Sequence, residues 1–107
     1  MTSLYTVPAQ IPKDEEFTEI LTEAKNGFRI ERIISFGQIT PEGDWYDQEQ
    51  DEWVMILEGE AVIGYPDGQE VRLVKGDHLL LPKHALHRVA YTSSPCIWLA
   101  VFAGLYK

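Results

Sequence analysis

From Phe28 onward the chain is a succession of short apolar or alternating runs, cut by turn residues about every ten positions. That punctuation is the strongest constraint on the fold, because it suits an all-β sandwich or barrel and little else. Residues 28–36 form the first run, and Thr40-Pro41-Glu42-Gly43-Asp44 is a loop. Residues 52–57 are apolar at both parities, which predicts a strand covered on both faces. Residues 61–65 and 70–73 flank Pro66-Asp67-Gly68, a strong hairpin signal. Lys75-Gly76 turns the chain into residues 78–81, and Ser93-Ser94-Pro95 separates residues 87–92 from 96–102. Periodicity alone does not choose between sandwich and barrel.

The N-terminal part reads differently. Residues 1–12, with Pro8 and Pro12, suit an irregular extended arm. In residues 14–25 the apolar Phe17, Ile20, Leu21 and Ala24 recur at helical spacing. Acids open this stretch, Lys25 closes it and Asn26-Gly27 follows, so the pattern predicts one short helix. With 107 residues the chain has the length of a single domain, with the barrel expected over about 28–103.

Asp and Glu number 17 against 9 Lys and Arg, a formal charge of -8. This balance argues against nucleic acid or an anionic membrane surface as the partner, since both demand a basic face. No apolar run approaches the roughly 20 residues of a membrane span, and the first residues lack the basic flank and long apolar stretch of a secretory signal. The single cysteine, Cys96, excludes an intramolecular disulfide and sits in an apolar run, as a buried packing residue would. A cytoplasmic protein is the expectation.

Two segments carry more information. One runs from Trp45-Tyr46-Asp47-Gln48 through Glu52 to Gly59, and the other runs from Gly76 through Pro82 to His87. Together they resemble the paired motifs of the cupin superfamily: His-x-His, three or four residues, Glu, six residues, Gly; then Gly, five residues, Pro-x-Gly, two residues, His. Glu52, Gly59, Gly76, Pro82 and His87 match in spacing. The resemblance implies a small antiparallel jelly-roll β-barrel with a cavity at one mouth, where cupins commonly hold a divalent metal through three His and one Glu. Taking four intervening residues, the His pair falls on Trp45 and Asp47, of which Asp47 alone can ligate. The implied metal set is then Asp47, Glu52 and His87, with His84 as a further candidate. Oxygen and imidazole donors of this kind suit Zn, Fe, Mn or Ni.

Each candidate also has a plainer explanation. His84 replaces the family's glycine, and histidine tolerates a positive φ better than most residues. His78 fits a packing role. Asp47 lies in an acidic stretch that could simply be solvated; Glu42, Asp44, Asp47, Glu49, Asp51, Glu52, Glu58 and Glu60 together supply eight of the 17 acids. Arg32 shares parity with Ile30, Ile34 and Phe36. If these face inward, Arg32 enters the barrel and could bind a carboxylate or pair with Glu52; otherwise Ile33 faces the core. Trp45, Tyr46 and Tyr91 complete the expected pocket.

Three functional readings follow: a cupin binding a divalent metal and a small organic molecule, a metal-free small-molecule binding module, and an interaction protein. Trp53, Met55 and Leu57 share the outward parity and would suit a homodimer contact unless the N-terminal helix covers them.

Overall fold

The computed structural model describes residues 3–104. Its strands are β1 (Phe17–Glu23), β2 (Arg29–Ser35), β3 (Asp51–Glu58), β4 (Glu60–Gly64), β5 (Glu70–Val74), β6 (His78–Leu81), β7 (Arg88–Thr92) and β8 (Cys96–Ala103). They form two antiparallel sheets, a five-stranded one in the order β1-β2-β8-β3-β6 and a three-stranded one in the order β5-β4-β7. Among the described residues no helix is long and apolar enough to cross a membrane.

The helix expected over 14–25 is corrected. Its centre is β1, the edge strand, paired with β2 from Phe17↔Ile34 to Glu23↔Arg29. A lone amphipathic segment of this length is marginal as a helix. As a strand it satisfies the outer hydrogen-bonding edge of β2, and its Thr18 and Thr22 are β-branched. The register slips between Ile20 and Thr22, so Leu21 is an extra residue. That slip breaks strict alternation and explains why the sequence imitates a helical period. Asn26-Gly27 does end the element, but as a hairpin turn: the Ala24 amide donates to the Phe28 carbonyl at 2.8 Å.

Between the sheets lies the main core, built from Val54, Ile56, Ala61, Ile63, Leu73, Leu81, Cys96, Trp98, Ala100 and Phe102. Burial pushes the Cys96 thiol up to about 12, leaving it inert as a nucleophile at neutral pH. The outer face of the large sheet carries a second cluster of Ile34, Leu57 and Ile97, against which Leu4, Val7 and Ile11 of the arm pack with Met55. The arm therefore covers part of the face that the sequence assigned to a helix or a second copy.

Arg32 fastens that arm. It is 2% exposed. Its Nε donates to Glu19 Oε1 at 2.8 Å, and its Nη1 donates to the carbonyls of Thr6 at 2.8 Å and Leu4 at 3.1 Å. Parity decides the rest: Glu31 and Ile33 point into the space between the sheets, while Arg32 and Ile34 point away from it. One motif glycine has a clear steric cause. Gly59 links β3 to β4 at φ +85, where a Cβ would run into Ser93 Oγ and lie 2.5 Å from the Pro95 carbonyl oxygen.

Candidate functional site

A cavity of about 200 Å³ opens between the sheets. Val54, Ile63, Leu81, Val89, Trp98 and Phe102 give it an apolar wall. Tyr46, Gln48, Glu52 and His87 supply polar groups, joined by Glu16, Thr18 and Glu31.

Glu52 begins the apolar stretch of β3, paired with Leu81 on one side and Phe102 on the other, and is 8% exposed. Gln48 Nε2 donates to its Oε1 at 3.1 Å. Burial pushes its carboxyl up to about 7; the Gln48 hydrogen bond opposes this, and the charge of Glu31 adds to it.

His87 is held by an isolated bridge to Tyr46, whose amide donates to the His87 carbonyl at 2.7 Å. The two rings stack with centroids 5.4 Å apart. His87 Nδ1 lies 3.0 Å from the Ala85 carbonyl oxygen, which can only accept, so Nδ1 carries the proton and Nε2 the lone pair. Burial lowers the imidazole's proton affinity and keeps it neutral. Burial likewise raises the Tyr46 phenol, with the charge of Glu16 adding to it, so the hydroxyl stays protonated. Gln48 Oε1 is buried without a hydrogen-bond partner, and leaving such an acceptor unsatisfied is unfavourable.

Of the residues anticipated from sequence, Glu52, His87 and Tyr46 come together here. The others do not line the cavity. Asp47 and His84 meet outside it, Nδ1 to Oδ1 at 2.7 Å, with side chains more than half exposed. His84 adopts φ +62, as its glycine position anticipated. Trp45 is exposed. His78 stacks on Trp53 with centroids 5.6 Å apart. Arg32 lies on the opposite face of the large sheet. Tyr91 is turned out by a register slip in the β4–β7 ladder: Val62 pairs with Tyr91 but Ile63 pairs with Val89, so Ala90 is skipped and parity inverts. Thr92 consequently becomes buried.

His84→Gly should change the unfolding free energy by less than about 1 kcal/mol, because a relieved positive φ offsets a lost exposed hydrogen bond to Asp47. His84→Val should destabilise by about 1–2 kcal/mol. Urea denaturation of both variants checks this; a larger loss in the glycine variant would show that the Asp47 contact matters more than the backbone.

Gln48 was missed, although its signal was present. The family motif admits three or four residues before Glu52, and with three the His pair falls on Tyr46 and Gln48. These are the residues that line the cavity. A protonated phenol and an amide thus replace two imidazoles. Among the described residues no three His, Cys, Asp or Glu side chains group so as to hold a metal ion. This donor set does not fit a resident divalent metal.

The family profile described as a cupin domain matches residues 37–102. A solved structure from Ralstonia eutropha JMP134, described as a candidate mannose-6-phosphate isomerase, is 42% identical, with a TM-score of 0.86 and 96% of each chain covered. A cupin superfamily protein from Desulfitobacterium hafniense DCB-2 is 22% identical, with a TM-score of 0.73 over 88% of this chain and 82% of that one, and shares the fold. The uncharacterised protein YdbB of Bacillus subtilis (strain 168) is 34% identical over 59 residues, 54% of this chain. That match spans about half of YdbB's own length, 52%.

Proposed function

This chain belongs to the cupin domain family, and on that premise we propose that it binds a compact organic molecule between its sheets without a resident metal ion. The observation that carries the reading is the buried, unpartnered Gln48 Oε1 in a cavity that also exposes Glu52 and the lone pair of His87. A ligand donor would satisfy that oxygen, while the apolar wall supplies contact area. The volume lies below the roughly 300 Å³ at which sites for drug-sized ligands begin, so the ligand is small. Burial pushes the Glu52 carboxyl up to about 7, so near neutral pH it can exchange a proton with a bound molecule.

Elemental analysis of untagged protein, followed by thermal melts with added Zn, Mn, Fe or Ni, tests the reading. Substoichiometric metal and unchanged melting are expected, together with shifted melting for some members of a library of small polar organic molecules. For such a ligand, Gln48→Leu should weaken binding by about tenfold, the loss of roughly one hydrogen bond. One tightly held metal per chain would overturn the proposal.

A further inference from the structure

We infer that the molecule bound in this cavity carries a protonated amine or a similar cationic donor, and that phosphorylated and carboxylated molecules are excluded. The inference rests on the reading of the cavity as a small-molecule site. Its observation is the charge of the lining. Glu16, Glu31 and Glu52 line the cavity, and among the described residues no Lys or Arg does. The nearby cation Arg29 pairs with Glu31, which leaves Glu16 and Glu52 as the lining acids without an ion-pair partner among the described residues. Arg29 Nε donates to Glu31 Oε2 at 2.5 Å, its Nη1 donates to Gln50 Oε1 at 2.8 Å, and its guanidinium lies 3.9 Å from the centroid of the Phe102 ring. Arg32, the residue that would have received a carboxylate, binds the arm on the other side of the sheet.

The open hydrogen-bonding atoms have a matching sense. Gln48 Oε1 is a buried acceptor without a partner. His87 is 3% exposed, and its Nε2 offers a lone pair because Nδ1 is committed to Ala85. Glu52 receives Gln48 on Oε1, which leaves Oε2 open. Gln48 Oε1 and His87 Nε2 accept, as does Glu52 in its ionised form, which a primary ammonium, with three donors and no acceptor, would favour. An anion would instead meet Glu16 and Glu52, neither of which has an ion-pair partner among the described residues, in a partly desolvated space. The lining is therefore chemically opposed to a sugar phosphate, the substrate class in the description of the Ralstonia eutropha relative.

Isothermal titration of the full chain with benzylamine, benzyl alcohol, benzoate and mannose 6-phosphate tests this. Benzylamine should bind at least tenfold more tightly than its neutral isostere, and the two anions should give no binding heat. Glu52→Gln and Glu16→Gln should each reduce the preference for benzylamine over benzyl alcohol severalfold. Equal binding of amine and alcohol, or binding of either anion, would overturn the charge inference and leave the small-molecule reading standing. If none of the four binds, and none shifts the Trp98 side-chain NMR signal, the small-molecule reading fails with it.

Discussion

Glu52→Gln should leave the protein more stable than its parent at pH 8 by about 3 kcal/mol relative to their difference at pH 4.5. The sign follows from linkage. Burial raises the Glu52 carboxyl in the folded protein to about 7, against an ordinary value of 4.5. Between these values the folded chain binds more protons than the unfolded one, so stability falls as pH rises through that window. At pH 7 the buried carboxyl is about half ionised, and by about pH 8 the loss is nearly complete. His87 acts the other way: burial lowers its folded value, so its share of stability is lost as pH falls through its ordinary 6.5 and below. Comparing parent with variant cancels that contribution. Urea denaturation at half-unit steps from pH 4.5 to 8 measures the difference, and parallel stability profiles would show that Glu52 is not strained by burial.

Arg32→Leu should destabilise the protein by about 3 kcal/mol and free residues 3–12 from the large sheet. The substitution removes a buried cation and leaves Glu19 and the carbonyls of Thr6 and Leu4 without their donor. It also releases the cover that Leu4, Val7 and Ile11 provide over Ile34, Leu57 and Ile97. Hydrogen exchange and limited proteolysis of the arm, alongside denaturation, separate anchoring from general destabilisation. An arm as protected as in the parent would mean that the apolar contacts alone hold it.

The strands from Phe28 onward could be read because their signals are local: alternation within a run and turn residues between runs. β1 could not, because its pairing with β2 is a tertiary fact that overrides a helical period confined to the segment itself. Glu52 and His87 stood out through motif spacing, whereas Gln48 depended on a choice between two spacings. That choice is made by the Tyr46–His87 bridge, a contact across the fold. Parity predicted Val89 in the cavity but failed two residues later at Tyr91, since a bulge leaves no mark in the sequence. For Arg32, alternation named the residues sharing its face but could not say which face looks inward.

The short bridge at Tyr46 has an evolutionary consequence. Tyr46 and Gln48, which set half of the cavity's polar character, lie outside the eight strands. Their segment is moored by the Tyr46–His87 amide pair and by the His84 amide donating to the Gln48 carbonyl at 2.9 Å. These are main-chain tethers, indifferent to the side chains they carry. Selection can therefore rewrite specificity at both positions without disturbing either sheet. A lineage could pass from imidazole to phenol and amide, and so from one ligand chemistry to another, on an unaltered scaffold.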